Sequence, residues 1–160
     1  MPSSILVALR VSATPQRAFD VFTREIGMWW RHNGLFQFTR RGTGTLALEA
    51  GEGGRLTETF DDGSVFEIGR VRVWQPGMRL VLSWRRESFA PDQQTEVHVS
   101  FEAVGQAPDV ETRVTVQHFG WDDIPSASVA KHGFPSQVFQ LRHGEYWQSL
   151  LRSFREHASH

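Results

Sequence analysis

The stretch that decides the fold reads SVFEIGRVRVWQPGMRLVLSW and covers residues 64–84. Apolar residues alternate with polar ones on both sides of the QPG sequence at 75–77, which is a typical turn signal. Alternation with a period of two predicts β-strands, and so short a connection predicts that they are antiparallel neighbours. The stretch therefore predicts a β-hairpin with strands at 64–74 and 78–88.

The same alternation continues on both sides of this hairpin. It predicts further strands at 4–12, 44–50, 54–60, 95–104 and 110–119. The loops between the later strands are short and rich in Gly, Pro and Asp. Because of these short loops, the strands from residue 44 onward are predicted to form an antiparallel meander.

Two other regions repeat their apolar residues at helical spacing. In the first, Thr14 and Pro15 have the pattern of an N-cap followed by proline at the first helical position. Apolar residues then recur as far as Trp30, and Gly27 is predicted to divide the region into two short helices. The second region, at about 137–157, is predicted to be one long helix. Its stripe contains His143, Trp147, Leu150, Leu151 and Phe154.

An antiparallel sheet with one apolar face needs a cover, and the 137–157 helix is the only long element available. The sequence therefore predicts an α+β fold in which a curved antiparallel sheet wraps around a long C-terminal helix. Two short helices follow the first strand, and residues 1–160 are expected to form one domain. A further short helix is expected to begin at Asp122-Asp123 and to end at Gly133.

The composition excludes several classes of function. The net charge is −1 and Lys and Arg are scattered, so neither nucleic acid nor an anionic membrane is an expected partner. The absence of cysteine excludes disulfides, thiol nucleophiles and metal–thiolate sites. The N-terminal apolar run is too short for a signal peptide, so a cytoplasmic location is expected. Six Trp and twelve Phe are enough to fill a large core or to line a cavity.

Motifs spread over nearly the whole chain resemble those of a known family. They are Val11-Ser12-Ala13-Thr14-Pro15, Trp29-Trp30, Gly53-Gly54-Arg55, Asp62-Gly63, Gly69-Arg70-Val71, Trp74-Gln75-Pro76-Gly77-Met78-Arg79-Leu80 with Trp84, His118-Phe119-Gly120-Trp121 and Trp147 with Leu150-Leu151. In this order they resemble the heat-shock-protein ATPase activator homologues of the SRPBCC, or START-like, superfamily.

That resemblance implies the helix-grip fold and a deep cavity between the sheet and the last helix. Across the superfamily such cavities hold lipids, hormones, polyketides or unidentified guests. The segment Ile124–Gln140 is longer than the usual pattern of the family, and it lies where the mouth of the cavity is expected.

The loop lengths predict which residues share the face that covers the helix. Counting across the loop at 61–64 places Glu58 opposite Glu67, and counting across the loop at 75–78 places Glu67 opposite Arg86. The same count places Val71 opposite Leu82 and Gly69 opposite Trp84. Carried to the last two strands, the face collects Val97, Val99, Phe101, Val114, Val116 and His118.

One row across this face is polar apart from Val97, and it runs through Glu58, Glu67, Arg86, Val97 and His118. Two carboxylates that face each other need a counter-charge or a shared proton, and Arg86 is placed to supply the charge. The row is open to two interpretations: a functional polar cluster, or a surface ion network at the solvated rim of the sheet. Taken alone, His118 is more often a hydrogen-bonded core histidine than a functional one.

Three functions are compatible with these features. The first is a binding protein for a small, largely apolar molecule with one polar end. Its walls would be Trp84, Phe101 and Val116, and its polar anchors Arg86, Glu58, Glu67 and His118. The second is a cyclase- or hydrolase-type enzyme in the same cavity, with His118 or Glu58 as the acid–base group. The third is a chaperone-cofactor-like protein-interaction module.

Sequence motifs of known catalytic or cofactor-binding sites give no further indication. The chain contains no HExxH, GxSxG, P-loop or dinucleotide fingerprint, and its seven histidines show no clustered spacing of metal ligands. No metal and no cofactor are therefore predicted. The protein is expected to be a monomer or a homodimer.

Overall fold

The computed structural model describes residues 4–33, 36–124 and 134–159, and these contain seven strands and three α-helices. The strands are β1 Ser4–Val11, β2 Thr45–Leu48, β3 Arg55–Thr59, β4 Val65–Gln75, β5 Arg79–Trp84, β6 Thr95–Val104 and β7 Glu111–Phe119. The helices are α1 Pro15–Arg24, α2 Ile26–Trp29 and α3 Ser136–Ala158.

All seven strands form one curved antiparallel sheet in the order β1-β7-β6-β5-β4-β3-β2. Consecutive strands from β2 to β7 are neighbours, which is the predicted meander, and β1 pairs with β7. Helix α3 packs beside β1 and against α1 and α2. The predicted helix-grip architecture is therefore confirmed.

The stripe predicted for the last helix is buried. Trp147, Leu150, Leu151 and Phe154 are all almost completely inaccessible to solvent, and so is His143. The Phe154 ring packs on the rings of Phe22 in α1 and Trp29 in α2. The two short helices thus close the core on the side of α3.

The break between the two short helices is one detail in which the prediction was wrong. Thr14 caps α1 as expected, because its Oγ1 accepts a hydrogen bond from the Arg17 N–H at 3.1 Å. The break, however, lies at Glu25, and Gly27 is inside α2. A Cβ at Gly27 would lie 2.5 Å from the Leu46 carbonyl oxygen, so this glycine permits close contact with β2.

The register of the last two strands agrees with the prediction. Val97 pairs with His118, Val99 with Val116 and Phe101 with Val114. All six side chains are buried. Alternation therefore predicted the inward face correctly where the strands are regular.

The register of β4 was predicted incorrectly, because this strand contains two β-bulges. Between the pairs Leu56–Gly69 and Thr57–Glu67, one step on β3 corresponds to two steps on β4, so Ile68 is an extra residue. A second irregularity lies between Val71, which pairs with Leu82 as predicted, and Val73. Each extra residue turns the following side chains to the other face of the sheet.

The first bulge changes the neighbours of Glu67 and Gly69. Glu67 pairs with Thr57 on the outward face, not with Glu58, and its carboxylate contacts Arg70 at 3.2 Å. Gly69 lies against Ser83 and not against Trp84, since a Cβ at Gly69 would be 1.7 Å from the Ser83 carbonyl oxygen. The predicted row is therefore broken at Glu67. It is also broken at Arg86, which lies beyond the end of β5, because Val97 pairs with Leu82.

Two remaining features concern the segment after β7 and the lengths of the helices. A 3-10 turn at Trp121–Asp123 follows β7, whereas the predicted helix from Asp122 to Gly133 falls mostly on residues 125–133, outside the described residues. None of the helices described here is both long enough and apolar enough to cross a membrane.

Candidate functional site

A group of aromatic side chains lies between the middle of the sheet and α3. We call it the aromatic cluster, and its members are Trp30, Phe36, Trp84, Trp121, Tyr146 and Trp147. The ring of Trp84 on β5 lies 5.7 Å from Trp30 at the end of α2 and 5.6 Å from Trp147 on α3. Phe36 stacks on Tyr146 with ring centroids 5.2 Å apart. These rings come from five places in the chain: the end of α2, the connection that follows it, β5, the 3-10 turn and α3.

Arg86 is a buried cation beside this cluster. It lies two residues beyond the end of β5 and only 3% of it is exposed. Its guanidinium carbon lies 5.3 Å from the centroid of the Phe36 ring and 5.5 Å from that of Trp121. Burial lowers the pKa of Arg86 to about 10, an effect that the nearby Tyr146 opposes. The side chain remains positively charged at neutral pH.

No carboxylate of the described residues lies within ion-pair distance of Arg86. Its Nε–H also has no hydrogen-bond partner there. A buried charge is normally paired, because removing an ion from water costs several kcal/mol. Here the two aromatic faces supply part of the compensation, at about 0.5–2 kcal/mol each.

His118 on β7 has both ring nitrogens in hydrogen bonds. Its Nδ1 accepts from the indole N–H of Trp147 at 3.1 Å, and its Nε2 lies 2.7 Å from Oγ1 of Thr95. Since an indole nitrogen only donates, the proton of the neutral imidazole must be on Nε2. The Thr95 hydroxyl then donates to the Trp84 carbonyl oxygen at 3.0 Å. Burial, and then the charge of Arg86, hold the pKa of His118 well below its ordinary value.

His143 on α3 is a second buried histidine, 5.1 Å from His118 between ring centroids. It shares both ring neighbours of Arg86, because it lies 4.9 Å from Phe36 and 5.2 Å from Trp121. Burial, His118 and Arg86 lower its pKa, so this imidazole is also neutral. Its Nδ1 has no hydrogen-bond partner in the described part of the chain.

Glu58 on β3 is a buried carboxyl group, with 1% of the residue exposed. Its Oε2 accepts a hydrogen bond from the Gly44 N–H at 3.0 Å, and its Oε1 has no partner among the described residues. Burial raises the pKa of Glu58, while the Gly44 N–H, His32 and Arg41 act in the opposite direction. Glu58 therefore retains a proton to higher pH than an exposed glutamate.

The polar row predicted from the sequence is thus only partly present. Glu58, Arg86 and His118 are all buried, whereas a solvated rim would expose them. Arg86 and His118 come together through Trp121, whose ring lies 5.3 Å from His118. Glu67 was wrongly placed in this row, since it faces outward and pairs with Arg70.

The predicted wall residues lie at two different places. Trp84 belongs to the aromatic cluster and also contacts His118, at 5.7 Å between rings. Phe101 packs instead on Phe19 of α1, at 5.3 Å. Val116 is buried in the middle of β7 between Val7 and Val99. A role in ligand binding stays a prediction for all three.

Several residues of the site were missed by the sequence analysis. They are His32, Phe36, Trp121, His143 as a polar member and Tyr146. His143 and Tyr146 are three residues apart on α3, so helical spacing alone would have placed them on one face. No comparable signal existed for Phe36 or Trp121, because both lie in connections whose path only tertiary packing defines. The described residues include no group of three or more His, Asp or Glu side chains suited to a metal ion.

The sheet gripping α3, with polar groups buried at their interface, defines a helix-grip protein of the START-like class. The chain belongs to the family described as Activator of Hsp90 ATPase homolog 1-like protein, whose profile matches residues 12–159. The resemblance found in the sequence motifs is thereby confirmed. No curated protein matches the chain.

Similar solved structures come from proteins with different descriptions. The Aha1 dimer from Colwellia psychrerythraea is 16% identical with a TM-score of 0.62, over 98% of this chain and 96% of that one. An HSP90 activator from Plasmodium falciparum is 17% identical with a TM-score of 0.58, over 93% and 91% of the two chains. At these identities the likeness shows the fold alone.

A third solved structure has a higher sequence identity. The anthrahydroquino-gamma-pyrone synthase Txn09, solved in complex with SUM, is 25% identical to this chain with a TM-score of 0.58. The similarity covers 98% of this chain and 96% of that one.

Proposed function

We propose that the protein binds a small, largely apolar molecule with an anionic or hydrogen-bond-accepting end at the aromatic cluster, and that Arg86 receives that end. The observation that carries this proposal is the buried Arg86 guanidinium with no carboxylate partner among the described residues. A partner anion brought by a ligand would recover the cost of burying this charge.

Two further donors support a ligand that accepts hydrogen bonds. The indole N–H groups of Trp84 and Trp121 are buried without a partner within the described residues, as is the Nε–H of Arg86. An unsatisfied buried donor costs about 1–3 kcal/mol. A ligand with oxygen acceptors on a flat apolar body would satisfy such donors and would pack on the surrounding rings.

The similarity to Txn09 supports the same proposal, because that protein is described as a synthase and was solved in complex with SUM. From this similarity we propose for the present chain only the binding of a small molecule, and not the synthase activity. With regard to location and assembly, we propose a cytoplasmic protein that is a monomer or a homodimer. One similar solved structure is described as a dimer.

The proposal is tested with two fluorescent probes that share one aromatic body. 1-Anilinonaphthalene-8-sulfonate carries a sulfonate, whereas N-phenyl-1-naphthylamine lacks it. We expect the protein to bind both, with the sulfonate bound more tightly. In Arg86→Met we expect the sulfonate to lose about tenfold or more in affinity, because a charge-assisted hydrogen bond contributes about 1.5–3 kcal/mol. Binding of the neutral probe should change little.

The matched control is Arg70→Met, which removes an arginine that pairs with Glu67 on the outward face. It should leave the binding of both probes unchanged. Failure of the folded wild-type protein to bind either probe would contradict the proposal. So would an unchanged preference for the sulfonate in Arg86→Met.

A second candidate function is an enzyme of the cyclase or hydrolase type at the same site. The observation that favours it is Glu58, a buried carboxyl group that has a raised pKa and an unpaired Oε1. His118 is the less suitable of the two predicted acid–base groups, because both of its nitrogens are in hydrogen bonds to the protein. Loss of turnover of an identified ligand in Glu58→Gln, with binding retained, would separate the enzyme from the binding protein.

A further inference from the structure

His32 and Glu58 form a pair of titratable side chains outside the aromatic cluster. His32 lies in the segment after α2, and 30% of its side chain is exposed, whereas the side chain of Glu58 is 1% exposed. The two groups approach each other through Nδ1 of His32 and Oε2 of Glu58, which are 3.8 Å apart. His32 thus reaches solvent, whereas Glu58 lies in the interior.

The hydrogen bonds of Gly44 fix the chemistry of this contact. Nε2 of His32 lies 2.8 Å from the Gly44 carbonyl oxygen, which can only accept, so Nε2 carries a proton. The Gly44 N–H donates to Oε2 of Glu58 at 3.0 Å. In a neutral His32 the nitrogen that faces Glu58 is therefore Nδ1 without a proton. If Glu58 is then a carboxylate, two hydrogen-bond acceptors, Nδ1 and Oε2, face each other.

This arrangement is favourable only when a further proton is present on one of the two groups. The proton makes either an imidazolium beside a carboxylate or a neutral imidazole beside a carboxylic acid. Shortening the gap from 3.8 Å to the roughly 3.0 Å of an N–H···O hydrogen bond needs a displacement of less than 1 Å. The same proton can then pass between Nδ1 and Oε2.

We propose that His32 and Glu58 are an acid–base pair that shares one proton, with His32 exchanging it with solvent and Glu58 presenting it to the interior. A half-turn of the carboxyl group about its Cγ–Cδ bond exchanges the two oxygens, so a proton taken up at Oε2 can be presented to a bound molecule from the position of the unpaired Oε1. When Glu58 gives a proton to a carbonyl oxygen, it becomes a carboxylate. His32 then returns one proton taken from solvent, so that charge and protons balance.

The remaining charged and titratable groups near Glu58 do not replace His32. Arg41 acts on it electrostatically, but its guanidinium lies over the ring of Phe60 at 4.9 Å and contacts Glu87 at 3.7 Å. Tyr146 is also close enough to interact with Glu58, yet its hydroxyl donates to the Arg31 carbonyl oxygen at 2.7 Å. Of these groups only His32 connects the buried carboxyl to solvent.

A catalytic use of this proton rests on the proposed binding of a small molecule. The sharing of the proton between His32 and Glu58 does not depend on that binding. The test is therefore made on the ligand-free protein, by carbon NMR of side-chain carboxyl groups labelled in glutamate. We expect one carboxyl resonance to titrate above the usual glutamate range and to disappear in Glu58→Gln, which assigns it. In His32→Gln we expect its midpoint to rise further, because the positive charge of His32 is lost.

The control variant is His98→Gln, which removes a histidine from another carboxylate contact, that with Glu96. It should leave the Glu58 titration unchanged. A Glu58 midpoint in the ordinary range, or a raised midpoint that does not respond to His32→Gln, would overturn the shared proton. Both results are independent of probe binding at Arg86, so this inference and the proposed function fail separately. If Glu58→Gln does not fold, the response of the raised resonance to His32→Gln still decides the question.

Discussion

The indole N–H of Trp147 on α3 donates a hydrogen bond to Nδ1 of His118 on β7, at 3.1 Å. This bond joins the last helix to the sheet at a buried polar position. It also fixes the tautomer of His118, whose Nε2 proton is directed at Oγ1 of Thr95. A histidine held in this way stabilises the fold and has no free nitrogen for a ligand.

Replacing Trp147 by phenylalanine should therefore be costly. The Trp147→Phe substitution leaves Nδ1 of His118 buried without a donor, which costs about 1–3 kcal/mol in addition to the lost packing. The comparison is Trp84→Phe, which removes a buried indole whose N–H has no partner among the described residues. Urea unfolding should show the larger loss of stability in Trp147→Phe. Equal losses would show that the hydrogen bond contributes nothing.

The two buried histidines should make the stability depend on pH. The folded-state pKa values of His118 and His143 are lowered below the ordinary value of 6.5. The unfolded chain therefore binds protons below about pH 6.5 that the folded protein does not bind. The contribution of the two neutral histidines to the free energy of unfolding is therefore complete well above that pH. It is lost as the pH falls, by up to about 1.4 kcal/mol per pH unit for each histidine.

The variant His143→Phe isolates one of these contributions. Because Nδ1 of His143 has no partner in the described residues and its neighbours are aromatic, we expect a change within about 1 kcal/mol at pH 7.5. As the pH falls from 6.5 to 5, the slope of the unfolding free energy should become smaller than in the wild type by up to about 1.4 kcal/mol per pH unit. Unchanged slopes in denaturant titrations across this range would show that folding does not lower the pKa of His143.

Arg86→Met should not destabilise the ligand-free protein. Had Arg86 neutralised two facing glutamates, its loss would cost about 3–5 kcal/mol by leaving them without a counter-charge. No carboxylate of the described residues pairs with Arg86, and an apolar chain of similar length avoids the cost of a buried charge. We expect a melting temperature equal to or above that of the wild type. A large decrease would indicate a partner for Arg86 outside the described residues.

Gly69 should tolerate no side chain. In Gly69→Ala the added Cβ would lie 1.7 Å from the Ser83 carbonyl oxygen, so two strands must separate, at a cost of about 1–3 kcal/mol or more. Gly144→Ala is the matched control. Gly144 lies in the middle of α3, and a Cβ there would meet only the side chain of Ile5, at 3.5 Å. That substitution should stabilise the protein by about 0.5–1 kcal/mol. Thermal unfolding of the two variants should therefore shift in opposite directions.

The sequence by itself determined the kind of fold. A period of two over residues 44–119 and a helical stripe near the C-terminus are direct consequences of which faces must be buried. For the same reason the inward residues of β6 and β7 could be predicted down to the pair Val97–His118. Hydrophobic burial selects one parity for each regular strand, and the alternating pattern records it.

Tertiary structure alone decided the candidate site. The bulge at Ile68 turns Glu67 away from Glu58. No local sequence pattern predicts this bulge, because one inserted residue leaves the alternation on each side intact. Arg86 meets Phe36 and Trp121, which are distant in sequence, only because their connections fold over the same end of the sheet. Periodicity specifies which side of an element is buried, whereas the partners of a buried charge depend on how separate segments pack.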